Sequence, residues 1–351
     1  MTEWLFLAVL VPAIVVPVVL LVGFAGCDQV FGLDRLDELR PAPVIDSATG
    51  TSLGTITLAW MIDPTATRIE FERIEVDLVG PPYTFSVPAS PAGHDDRAGL
   101  NPARTYQYTA RAVFADGDMS LPSAPVSATT LGPPAFDAKG VGAPVSGTAS
   151  ASATWSHTAS DDSSAVVVGL QWAHRGGFLP PSGTPTRTAT FGGTPMTSLG
   201  AVGLNNVPLT SINGTFVFHE LFGLLNPPTG PQTVSLSVGR PGAAEINVQA
   251  CSLSYTAVSA FGSVSTDFGT EAGTSLSQDV IAAVNEVVVQ MFTTDSGPIT
   301  GYSQTLRVDG VADDFAFVTG DAPGAASVPF TATRVGGVDY AGLAVRLTPI
   351  S

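Results

Sequence analysis

Four histidines, His94, His157, His174 and His219, are the only side chains whose ordinary titration falls near neutrality. His219 is followed by Glu220 inside an apolar segment, Thr215 to Leu225. Strand alternation puts the two on opposite faces, which is poor geometry for an acid–base dyad. His174 stands between Trp172 and Arg175-Gly176-Gly177. A Trp, a His and an Arg at a strand end, with Phe178 just beyond, could stack on a sugar ring and hydrogen-bond its hydroxyls. Trp172, His174, Arg175 and Phe178 are therefore the candidate ligand-binding residues, read as a surface at the loop end of a strand. The plainer reading of the same residues is a strand terminus beside a loop.

Other chemistry is sparse. No cysteine stands beside a histidine, and no catalytic residues are assigned. Glycine loops of the nucleotide-binding kind are absent, and no cofactor is expected. Asp95-Asp96, Asp161-Asp162 and Asp313-Asp314 are carboxylate pairs without the spacing of a calcium loop, and are read as solvated turns. With two cysteines, Cys27 and Cys251, no disulfide framework and no four-ligand zinc site is expected, and no metal is assigned. Cys251 reads as a small core residue. Charged residues make up 13%, the net charge is −16 and the sole lysine is Lys139, so no basic stripe exists to meet nucleic acid.

The elements that must position these residues read as β structure almost throughout, in keeping with 37 glycines and 28 prolines in 351 residues. The exception is Trp4 to Gly26, an unbroken apolar run long enough for a membrane-spanning helix, since about 20 residues suffice. Pro12 and Pro17 predict a bend in it. It ends in Phe24-Ala25-Gly26-Cys27, which resembles a lipoprotein cleavage box with Cys27 as the lipidated residue. Three readings are compatible with the run: a lipoprotein signal, an uncleaved membrane anchor, and an apolar arm buried in a protein assembly. The expected organisation is an apolar helix and linker (1–40), a first sandwich (41–131) and a larger jelly-roll-like sandwich (132–351). Two stacked smaller domains divided near Phe261 to Ser275 are the alternative for the last part.

Within 41–131, Ile56, Leu58 and Trp60 share a face, as do Tyr106, Tyr108, Ala110 and Ala112. In Arg68 to Leu78 the apolar register shifts between Phe71 and Ile74, which predicts a bulge or a bend. Trp60, the stretch Leu100-Asn101-Pro102-Ala103-Arg104-Thr105-Tyr106 and a final strand at Leu121 to Thr130 resemble a fibronectin type III domain. That resemblance implies a seven-stranded sandwich with a tyrosine corner at Tyr106.

Ala165 to Trp172 reads as a strand apolar on both faces. The distal succession of Asn226-Pro227-Pro228-Thr229-Gly230, Ser254-Tyr255-Thr256-Ala257-Val258, Gly301-Tyr302-Ser303, Gly320-Asp321-Ala322-Pro323-Gly324 and Ala341 to Leu347 is similar to a β-sandwich module of minor tail proteins of phages infecting actinobacteria. Similar modules occur in exported bacterial proteins. The resemblance implies an all-β, non-enzymatic structural and adhesive component of the virion tail. It would join other tail subunits through the apolar arm, assemble as a homo-oligomer and meet a host-envelope glycan or protein. The alternative is an outward-facing cell-surface lipoprotein or membrane-anchored adhesin carrying the same outer domains. A membrane partner belongs to that alternative only.

Overall fold

The computed structural model describes residues 40–350 except 177–183, 212–213, 270–272, 313–314 and 335–337. The expected N-terminal apolar helix and Cys27 lie outside the described residues. What is described is all-β.

The first unit has seven strands: β1 (Val44–Ser52), β2 (Thr55–Met61), β3 (Ala66–Glu75), β4 (Tyr83–Pro88), β5 (Gly93–Asp96), β6 (Thr105–Phe114) and β7 (Val126–Thr129). They form two sheets, ordered β1-β2-β5 and β4-β3-β6-β7. Ile56, Leu58 and Trp60 of β2 meet Ile69 and Phe71 of β3 and Tyr106, Tyr108 and Ala110 of β6 in one core. Trp60 packs edge-on to Phe71 with ring centroids 5.3 Å apart. The Asn101 amide donates to the Tyr106 hydroxyl at 2.8 Å, which closes the tyrosine corner. Strand order and corner together are those of a fibronectin type III-like sandwich.

β3 departs from expectation. No bulge separates Phe71 from Ile74; the strand stays in register against β6 and turns Arg73 inward instead. Ile74 is left 39% exposed. The Arg73 guanidinium donates to the Asp96 carboxylate at 2.5 Å and to the Ala98 carbonyl at 2.7 Å, and the Tyr108 hydroxyl donates to Asp96 at 2.9 Å. A buried charge is tolerated only when paired and hydrogen-bonded, and the triad meets that condition. Burial and the Asp96 carboxylate push the Tyr108 phenol well above its usual value.

The chain then passes through Gly132-Pro133-Pro134 into ten strands: β8 (Ala135–Val141), β9 (Val145–Gly147), β10 (Ser150–Ala159), β11 (Ser163–Gly176), β12 (Thr186–Phe191), β13 (Thr194–Pro195), β14 (Thr197–Gly203), β15 (Thr215–Leu225), β16 (Gly230–Gly239) and β17 (Ala243–Thr256). An outer sheet, β10-β16-β12-β13, covers an inner sheet, β14-β15-β11-β17-β8, with β9 also paired to β17. β10 alternates without error: Ala151, Ala153 and Trp155 point in, and Ser150, Ser152, Thr154, Ser156 and Thr158 point out.

Eight more strands complete the fold: β18 (Val258–Gly269), β19 (Ser275–Val280), β20 (Val287–Thr294), β21 (Ile299–Thr300), β22 (Thr305–Ala312), β23 (Phe315–Pro323), β24 (Val328–Arg334) and β25 (Tyr340–Pro349). They form an inner sheet, β18-β25-β20-β23-β22, and an outer one, β19-β24-β21. The distal region is therefore two sandwiches rather than the expected single jelly-roll-like pair of sheets. Their division falls at Ala257, ahead of the Phe261 to Ser275 stretch. A Pro-rich linker is unnecessary there, because one residue, Ala257 with φ 56°, swings the chain from β17 into β18.

The two inner sheets pack on each other. Ala165, Val167, Leu221, Cys251 and Leu253 meet Val289, Met291, Phe317, Leu343 and Leu347 in a continuous core. At about 1.5–3 kcal/mol per buried side chain, the last five alone contribute roughly 10 kcal/mol. Gly169 lies on this seam, where a Cβ would come 3.1 Å from Met291 Sδ. A polar clamp flanks the apolar seam. Tyr255 donates to Asp321 at 2.9 Å, Arg307 grips the same carboxylate at 2.9 and 3.0 Å, and its guanidinium lies 3.9 Å from the Phe136 ring centroid.

Arg73→Ala is expected to destabilise the fibronectin-like unit by about 3–5 kcal/mol, because it strands a buried carboxylate. Arg73→Met paired with Asp96→Leu should recover most of that loss. Urea unfolding of the three proteins measures both effects, and equal stability of wild type and Arg73→Ala would contradict the role given to the triad.

Candidate functional site

The alternation of β11 decides the fate of the sequence candidates. Its even members, Val166, Val168, Leu170 and Trp172, face the outer sheet β10-β16-β12-β13 and join the core beneath it. Trp172 is 0% exposed and stacks on Phe218 at 4.6 Å. His174, on the same face, is also fully buried, with Nε2 2.5 Å from the Arg240 guanidinium. Arg240 is itself buried and donates to the carbonyls of Leu209, at 3.3 Å, and Ser211. Trp172 and His174 thus do not form the expected ligand surface; the strand runs past them, and both belong to the interior. Burial, with Arg240 adding to it, holds the His174 imidazole down at about 4. Phe178 lies outside the described residues.

Arg175 is the candidate that stays at the surface. As an odd member of β11 it faces the other way, its side chain is 46% exposed and it lies 3.6 Å from Glu245. Trp172 and His174 are therefore separated from Arg175 by the thickness of the sheet.

The remaining histidines are structural. His157 touches Ser252 at 2.8 Å and Ser254 at 3.0 Å, and Ser254 donates onward to Asp137 at 2.8 Å. The chain resembles a catalytic relay in composition only: the carboxylate holds a serine instead of the imidazole, and His157 and both serines are buried. Burial lowers the His157 pKa, with Asp137 opposing. His219 and Glu220 do point to opposite faces. Glu220 accepts from Arg187 at 2.5 Å and from Ser198 within one core. His219 sits in the other core opposite Gln171, and burial holds it down at about 3. Of the carboxylate pairs, Asp161 and Asp162 are exposed, whereas Asp96 is structural and Asp313-Asp314 lies outside the described residues. Cys251 is a buried free thiol pushed up to about 11 by burial.

A site that sequence reasoning missed lies where the two sandwiches meet. The β11–β17 pairing sets Gln171 opposite Gln249, Ala173 opposite Asn247 and Arg175 opposite Glu245. This polar ladder runs along the seam-facing side of the inner sheet, and β9 adds Ser146 opposite Asn247. Phe315, at the start of β23, forms the facing wall. Between them is a cleft of about 80 Å³ lined by Ser146, Asn247, Gln249 and Phe315 with Val145 and Pro144. A nook of about 10 Å³ continues inward to Gln171. No short motif marks this site. Its one sequence signal is a run of amides, Asn247, Gln249 and Gln171, at alternate positions inside otherwise apolar strands.

No protein-family model and no curated protein matches the chain. Several solved structures resemble part of it. A Fn3-like protein from Clostridium thermocellum is 28% identical, with 25% of this chain and 91% of that one covered and a TM-score of 0.22. The FN5 domain of Drosophila Lar is 21% identical, with 27% and 99% covered and a TM-score of 0.24. The fn3 domain of human contactin 1 is 15% identical, with 24% and 72% covered and a TM-score of 0.22. The fibronectin type III-like assignment of the first unit rests on its strand order and tyrosine corner.

His174 yields a pH prediction. Its folded pKa, about 4, lies below the ordinary 6.5, so between these values the unfolded chain takes up a proton that the folded chain refuses. Stability should therefore fall as pH drops through this window, by on the order of 3 kcal/mol from this group. Denaturant unfolding across the window measures it. The His174→Gln variant should lose less stability over the same window; an identical slope in the variant would remove the assignment.

Proposed function

We propose that the protein is a non-enzymatic structural and adhesive component of a phage tail, presenting β-sandwich domains to the host surface. The observation that carries this reading is the fusion of the two distal sandwiches across a shared apolar seam, with the Tyr255–Asp321–Arg307 clamp beside it. A body fused in this way keeps a contact surface in fixed geometry, and the fibronectin-like unit serves as spacer. The three distal histidines are sealed in cores, which suits a scaffold better than a proton-transfer site. The resemblance of the distal strands to tail-protein modules supplies the virion context, the apolar arm the contact with neighbouring subunits, and a homo-oligomer the form of the assembly.

One observation favours a second reading. The apolar run ends in Phe24-Ala25-Gly26-Cys27, and a lipid on Cys27 would make the same outer domains a cell-surface adhesin.

Mass spectrometry of the mature N-terminus separates the two. The tail reading expects residues 1–26 intact and no acyl mass; a diacylglyceryl Cys27 at a new terminus would replace it with the envelope reading. Deleting residues 1–26 should leave a folded product that no longer enters its assembly, and full incorporation of that product would refute the arm's role.

A further inference from the structure

The cleft at the sandwich junction combines three properties that narrow what can occupy it. The first is size. About 80 Å³ is well below the roughly 300–1,000 Å³ of a pocket that encloses a whole small molecule, so the cleft takes a small group. The second is mixed polarity. Phe315 and Val145 offer apolar surface, while Ser146 and the half-exposed Asn247 carboxamide offer a hydroxyl and an amide at the same opening. The third is a buried acceptor without a donor. Gln171 is 2% exposed, and its amide nitrogen donates to Thr293 and to the carbonyls of Thr294 and Ala316 at 3.2 and 3.3 Å. Its Oε1 has no partner. Leaving such an atom unsatisfied costs about 1–3 kcal/mol, so the nook beside it favours a group that brings an N–H, directly or through one water. None of the described residues that line the cleft is charged, and a neutral occupant fits better than an anion.

We propose that this cleft binds the acetamido group of an N-acetylated sugar, an inference that deepens the adhesive reading and rests on it. The methyl lies against Phe315 and Val145, the carbonyl accepts from Asn247 or Ser146, and the N–H is directed at the Gln171 acceptor. The ring itself stays outside the cleft.

The test is calorimetric titration of the full chain with chitotriose and with cellotriose, which carries hydroxyls in place of the acetamido groups. Chitotriose is expected to bind with a Kd of about 1 mM or tighter, and cellotriose at least about tenfold more weakly, a gap of ~1.4 kcal/mol. Asn247→Ala, which removes the rim amide, and Ser146→Trp, which fills the cleft from an exposed edge strand, should each weaken chitotriose binding at least about tenfold while leaving the unfolding midpoint unchanged. Equal affinity for the two sugars, indifference of both variants, or no heat with chitotriose overturns the site and leaves the display reading standing. Cleavage of chitotriose by the wild type overturns the non-enzymatic reading and leaves the site standing.

Discussion

The period of two in a β-strand governs this molecule more than any single contact, because its two inner sheets have no solvent face. β11, β17, β20, β23 and β25 each lie between two cores, so consecutive residues enter different interiors and neither direction leads to water. Antiparallel sheets commonly keep one wet face; these do not. A polar residue in such a strand must therefore find a partner across a seam or reach an end where the covering sheet stops.

Several buried polar groups show one of these outcomes, whereas both ring nitrogens of the buried His219 stay without a partner. Glu220 is met by Arg187 from the outer sheet, Asp321 by Tyr255 and Arg307 across the seam, and His157 by two serines. Gln171 is met on its nitrogen but not on its oxygen. The ladder beyond it lines the cleft opposite Phe315, where β23 begins. Facing strands of two sheets thus form the cleft, and no loop motif is required. The fibronectin-like unit solves the same problem on a smaller scale, where Arg73 is accepted inside because Asp96 and Tyr108 are already placed to receive it.

Much of the fold was legible in the sequence because it depends on local pattern. Trp60, the Tyr106 corner and the doubly apolar Ala165 to Trp172 all declare themselves within a few residues. The failures share a cause. Residue type and position along a strand misplace Ile74, Trp172 and His174, because their environment is set by strands far away in sequence. Arg73 inward and Ile74 outward invert the expectation from hydrophobicity, and only the distant carboxylate of Asp96 explains it. The join at Ala257 was invisible for a related reason: a single left-handed residue does the work for which a proline-rich linker would have been the signal. The cleft was beyond reach, since its walls come from β9, β11, β17 and β23, and sequence says nothing about where one sheet stops over another.

The strand order of the last inner sheet also sets a schedule for the newborn chain. β25 lies between β18 and β20, so that sheet cannot close until β25 has emerged. The preceding sandwich has every strand it needs once β17 has emerged, and N-terminal units fold first during synthesis. For the interval in which the remaining residues are made, Val167, Leu221, Cys251 and Leu253 form an apolar sheet face with nothing over it. Premature termination anywhere in the last strand would leave that face bare for good. Emergence of β25 is thereby tied to solubility, and copies that stop before it would be marked for removal by their own stickiness.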